Sequence, residues 1–144
     1  MKVAAILRHK GSHVTSVEAT TTVAQIAEIL VDHRIGAVLV LDRAEQLLGI
    51  VSERDIVRGL AANGATALTM TAGQLMTRAL QVADPNTTVA EAMRMMTDGR
   101  FRHIPVVDQG RLVGLISIGD VVKARIMEQE TEVDSLKAYV AGSA

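Results

Sequence analysis

The chain contains no cysteine and no tryptophan, and Phe101 and Tyr139 are its only aromatic residues. Without cysteine there can be no disulfide, no thiolate metal site and no cysteine nucleophile. With so few rings the interior must be filled by Val, Ile, Leu, Ala and Met. Hydrophobic residues make up 49% of the chain, which leaves no case for disorder. An excess of basic charge is also missing: 15 Lys and Arg against 16 Asp and Glu give a formal charge of -1. Nucleic-acid binders need basic patches and often stacking aromatics, so nucleic acid is not expected as the main partner. Long apolar runs are absent as well. The longest, Ile35 to Leu41, falls far short of the roughly 20 residues a membrane span needs. Val3 to Leu7, ended by Arg8, is too short for a signal-peptide core. These absences predict a soluble, cytoplasmic protein whose 144 residues form one compact unit or two very small ones.

What the chain does have is an internal repeat. Thr22-Val23-Ala24-Gln25 is matched 66 residues on by Thr88-Val89-Ala90-Glu91, and Asp32-His33-Arg34-Ile35 by Asp98-Gly99-Arg100-Phe101. Beyond Asp42 and Asp108 the offset becomes 65, pairing Gly49-Ile50-Val51-Ser52 with Gly114-Leu115-Ile116-Ser117 and Asp55 with Asp120. The lost residue falls in a polar turn, where a deletion costs least.

Each copy opens with a capping box, Thr22 with Gln25 and Thr88 with Glu91, followed by apolar residues at helical spacing. Two continuous apolar runs come next, Ala37 to Leu41 with Leu47 to Val51, and Ile104 to Val107 with Leu112 to Ile116. Such runs suit strands covered on both faces. A second helix is expected from near Glu53 and near Ile118, and a short leading strand over His13 to Val17 and Leu80 to Ala83. The pattern predicts an α/β (α+β) protein of two tandem β-α-β-β-α repeats. The expected divisions are an N-terminal helix over 1–11, repeats over 12–64 and 75–127, a linker over 65–74, and a C-terminal helical extension over 128–144.

The segments Arg102-His103-Ile104-Pro105-Val106-Val107-Asp108, Gly49-Ile50-Val51-Ser52-Glu53-Arg54-Asp55 and Gly114-Leu115-Ile116-Ser117-Ile118-Gly119-Asp120 resemble the CBS-domain family, named after cystathionine β-synthase. The likeness runs over about residues 12 to 127, in order and in both copies. It implies a CBS pair, a pseudo-twofold module with two clefts between its repeats. In such modules the Ser and Asp of this motif hold the phosphate and ribose of an adenosine ligand. An Asp carboxylate offers acceptors to ribose hydroxyls, and a helix start favours an anion.

By analogy with the family, one cleft would set Ser52, Arg54 and Asp55 against Phe101, Arg102 and His103. The other would set Ser117, Asp120 and Lys123 against Thr15, Arg34, Ile35, Gly36 and Ala37. Where the second copy has Arg102-His103 the first has Gly36-Ala37, a departure in the phosphate grip. The ligand implied is an AMP-like adenine nucleotide, with ADP, ATP, NAD(H) and S-adenosylmethionine as alternatives and no catalytic cofactor.

Taken alone, Ser-x-x-Asp before a helix is also an ordinary cap that needs no ligand. His9 and His13 have no acidic partners to complete a metal site, and no triad or paired carboxylates suggest an enzyme. The alternative function is therefore an interaction module with empty or vestigial clefts. A small hydrolase is a weaker third reading. At the C-terminal end Ile126, Val133 and Val140 recur at sevens with Leu136 between them. That stripe suits a helical homodimer contact, and CBS pairs generally dimerise through helical faces. The regulated protein is not named by the sequence.

Overall fold

A computed structural model of the chain describes residues 1–78 and 81–142, which gather into two compact units.

The first unit is built mainly from residues 13–78. Helix α2 (Val23–His33) starts at Thr22, where both halves of the capping box form: Gln25 N–H donates to Thr22 Oγ1 at 3.3 Å and Thr22 N–H to Gln25 Oε1 at 3.0 Å. Its buried stripe is Val23, Ile26 and Leu30. The helix stops at Arg34, which turns left-handed (φ 54°) and sends its N–H back to the last turn. Strand β2 (Ala37–Leu41) then runs antiparallel to β3 (Leu47–Ser52), in a register that sets Ala37 opposite Ser52. Residues Ala37 to Val40 are all buried, as a doubly covered strand requires. The leading strand is shorter than expected. Only Ser16–Val17 forms β1, parallel to β2. Helix α3 (Glu53–Asn63) follows β3 directly.

The stretch expected to be a linker is structured and belongs to this unit. A 3-10 turn over Gly64–Thr69 buries Ala67, and the one-turn helix α4 (Ala72–Leu75) buries Ala72. Thr77 then exchanges both main-chain hydrogen bonds with Ile50 of β3, at 2.9 and 3.1 Å. Its side is set by glycine. A Cβ on Gly49 would lie 2.7 Å from the Thr77 carbonyl oxygen and 2.8 Å from Met76 Sδ.

The second unit combines helix α1 (Val3–Lys10), α5 (Val89–Gly99), the strands β4 (His103–Asp108) and β5 (Arg111–Ser117), and the long helix α6 (Ile118–Gly142). Its core joins Val3 and Ile6 to Val89, Ala92, Met96, Ile104, Val106, Ile116, Val121 and Ala124. Of the expected leading strand, Leu80 lies outside the described residues. Ala83 makes one parallel bridge to Val106, through bonds of 2.9 Å to Pro105 O and 2.8 Å from Val107 N–H. At Thr88 only half of the capping box forms, Glu91 N–H donating to Thr88 Oγ1 at 3.1 Å.

The N-terminal helix is thus an integral part of the second unit, and it is held there as α4 is held in the first. Val3 N–H donates to Thr87 O (2.8 Å) and Val89 N–H to Met1 O (3.0 Å). The counterparts are Ala72 N–H to Thr21 O (2.7 Å) and Val23 N–H to Met70 O (2.9 Å). Even the glycine recurs: a Cβ on Gly114 would sit 2.6 Å from Leu7 Cδ2. Each body is completed by the segment that precedes the other repeat in sequence. Among the described residues no helix is long and apolar enough to cross a membrane.

Candidate functional site

Both Ser-x-x-Asp segments lie where a strand passes straight into a helix, and both form reciprocal caps. In the first unit Asp55 N–H donates to Ser52 Oγ at 3.3 Å, while Asp55 Oδ2 accepts from Ser52 N–H at 2.9 Å and from the Ser52 hydroxyl at 3.0 Å. Its other oxygen, Oδ1, accepts from the Thr77 hydroxyl at 3.0 Å. Asp55 is 8% exposed, and both its oxygens are bonded within the protein.

The second unit repeats the cap with a different surround. Asp120 N–H donates to Ser117 Oγ at 3.2 Å, and Asp120 Oδ2 accepts from Ser117 N–H at 2.8 Å. The same Oδ2 is bound by the Lys10 ammonium at 2.7 Å, and Lys10 also donates to Leu115 O at 2.9 Å. Asp120 Oδ1 has no hydrogen-bond partner among the described residues. Partial burial by itself would raise the Asp120 carboxyl. The Lys10 ammonium, the Ser117 N–H and the Ser117 hydroxyl together outweigh it and hold the carboxyl below its ordinary value. The two motifs, equivalent in sequence, therefore differ in kind: one carboxylate is buried and bonded on both oxygens, the other half-buried, cation-paired and open on one oxygen.

The corner before each hairpin sits beside its own unit's motif. Glu53 N–H donates to Gly36 O at 2.9 Å, and Ile118 N–H to Arg102 O at 2.7 Å. On the second unit Arg102 and Lys123 line one groove of about 700 Å³ together with Ile118, Gly119, Val122, Ile126, Met127 and the acidic Glu130. Arg102 and Lys123 thus share one surface of the second unit.

The remaining candidates are dispersed. Arg54 is exposed on the first turn of α3, and Arg34 is exposed at the end of α2. Ile35 and Gly36 are half-buried, and Ala37 is buried at the start of β2. Thr15 is half-buried, its carbonyl accepting from Leu39 N–H at 3.2 Å. Phe101 is half-buried and folds its ring back on Gly99, filling the space that a Cβ there would need. His103 is half-buried at the first position of β4. Lys10 and Thr77, the residues that distinguish the two carboxylates, were not singled out from sequence. Lys10 lies 110 positions from its partner, and no local pattern marks such a contact. No group of three His, Asp or Glu side chains among the described residues could hold a metal ion.

Two copies of one small α+β module, each with a serine and an aspartate at a strand-to-helix junction, define a tandem-repeat protein of the CBS-pair type. The CBS domain profile matches residues 3–62 and 72–126, and the chain belongs to the CBS-domain family. A stand-alone CBS-domain protein of Agrobacterium tumefaciens, ATU1752, superposes with a TM-score of 0.85 at 43% identity, covering 87% of this chain and 99% of its own. Hypoxic response protein 1 of Mycobacterium tuberculosis is 33% identical over 87% of this chain and 86% of its length. The mitochondrial CBS-domain protein CBSX3 of Arabidopsis thaliana is 38% identical over 84% of this chain, which spans only 61% of that relative. The CBS domain pair of protein MJ0100, solved in complex with 5′-methylthioadenosine and S-adenosyl-L-methionine, has a TM-score of 0.77 at 25% identity, covering 90% of this chain and 98% of its own.

Proposed function

We propose that the chain is a non-catalytic regulatory module that binds an adenosine nucleotide and passes its bound state to a partner protein. The observation that carries this is the open carboxylate oxygen of Asp120, held beside Ser117 at the start of α6. A carboxylate in that state can accept from a ribose hydroxyl without giving up its cap. Asp55 is the structural member of the pair, since its oxygens already serve Ser52 and Thr77. In the groove that begins at Ile118 two cations, Arg102 and Lys123, stand against the single carboxylate of Glu130, a balance that favours a ligand with a phosphate. AMP-like nucleotides are therefore preferred over NAD(H) and S-adenosylmethionine. The adenosine ligands of MJ0100 support the class of ligand.

A homodimer is the assembly we favour. Ile126, Val133, Leu136 and Val140 on α6 are between 50% and 63% exposed and follow a heptad stripe. Ligand binding changes the partner's state only if affinity differs between two arrangements of the module.

Titration of the intact chain with AMP, ATP, NAD, S-adenosylmethionine and 5′-methylthioadenosine in a thermal-shift assay tests the reading. A ligand at 100 times its dissociation constant should add about 2.7 kcal/mol of stability. If none raises the melting point, the alternative of an interaction module with empty sites takes its place.

A further inference from the structure

Building on the adenosine site proposed above, we infer that Lys10 reads the charge of the ligand, selecting an adenosine that carries an anionic group next to its ribose over an uncharged or cationic one. An ammonium has three N–H donors. Lys10 spends one on Asp120 Oδ2 (2.7 Å) and one on Leu115 O (2.9 Å). The third has no partner among the described residues.

These two bonds leave the site usable. The cation lies on Oδ2, the oxygen already engaged by Ser117 N–H, so Oδ1 stays available to a sugar hydroxyl. The free N–H and the free oxygen thus belong to one ion pair, a donor next to an acceptor. A phosphorylated sugar presents the complement, an anionic acceptor beside a hydroxyl donor. A thioether in place of the phosphate leaves the N–H unanswered, and a sulfonium meets like charge.

The position of Lys10 is fixed by the fold. Helix α1 is anchored by buried Val3 and Ile6 and by main-chain bonds to Thr87 and Pro85 at its first turn. Its last residue is Lys10. In the first unit the aspartate is met instead by the neutral hydroxyl of Thr77, at 3.0 Å. Charge reading is thereby confined to the second repeat.

Isothermal titration of the full chain with AMP and with 5′-methylthioadenosine tests the assignment in wild type, Lys10→Met and Lys10→Arg. Wild type should prefer AMP. Lys10→Met should weaken AMP about tenfold, the worth of one charge-assisted hydrogen bond, and leave 5′-methylthioadenosine unchanged. Lys10→Arg should keep most of the preference. Equal losses for both ligands in Lys10→Met would make Lys10 a structural residue, and no loss for either would make it a bystander. Each of those results overturns the assignment, as does a wild type that binds both ligands equally, while the adenosine site itself stands. Failure of wild type to bind either ligand removes the site and this role together.

Discussion

At the scale of single residues, Asp55 and Asp120 show how identical sequence signals can come to lie in different surroundings. Replacing Asp55 by Ala removes a cap and leaves the Thr77 hydroxyl and the Ser52 N–H without their acceptor at a buried position. The cost should be about 2 to 3 kcal/mol, against about 1 kcal/mol for Asp120→Ala, measured by urea unfolding. Equal costs would contradict the division into a structural and an open carboxylate. The Asp120 carboxyl also carries a pH signature, because its folded value lies below the ordinary one. A depressed carboxyl stabilises the fold above its unfolded value, and that contribution is lost as pH falls through the folded value. Wild type should therefore lose more stability than Asp120→Asn between about pH 5 and pH 2, followed by thermal unfolding across that range. Matching pH profiles would remove the ion pair from the account. The serines, the aspartates and their capping geometry were legible in the sequence because a cap is local. Lys10 and Thr77 were not, since their contacts with the aspartates span 110 and 22 positions.

Among the elements, both central hairpins and all four repeat helices follow the periodicity and caps closely. Strands β2 and β3 and the starts of α3 and α6 fall at or within a residue of their expected places. The leading segments were harder to read. α1 and α4 are tied in by main-chain bonds, which almost any sequence could make, so their shared role left little pattern beyond a few small or apolar residues and the Thr71–Gln74 capping box that starts α4. The surviving trace is the glycine of the Gly-x-x-Ser motif, present because another segment crosses over it. At Gly49 the obstacle is the Thr77 main chain, while at Gly114 it is the far end of the flexible Leu7 side chain. Gly49→Ala should accordingly cost about 2 kcal/mol or more, and Gly114→Ala about 1 kcal/mol or less once Leu7 has moved. Comparable melting-point losses would show that the two crossings are equally rigid.

On the scale of the whole molecule, the duplication decided what the sequence could reveal. A motif of seven residues, Gly49 to Asp55, says little by itself, but two in register after matching hairpins identified the fold. Helix α6 extends that fold by a long exposed stretch, with only Val121 and Ala124 buried along its 25 residues. If its apolar stripe is the homodimer contact, sedimentation should show a dimer. Val133→Asp combined with Leu136→Asp should convert it to a monomer at micromolar concentration with the far-ultraviolet spectrum of the fold retained. A monomeric wild type would leave the stripe for another partner.

The most direct test is a crystal structure of the chain grown with excess AMP. A ribose hydroxyl is expected within about 2.5 to 3.0 Å of Asp120 Oδ1, with the Ser117 cap intact and Asp55 still bonded to Thr77. Nucleotide density that avoids Asp120, or that engages Asp55 in its place, would contradict the central claim.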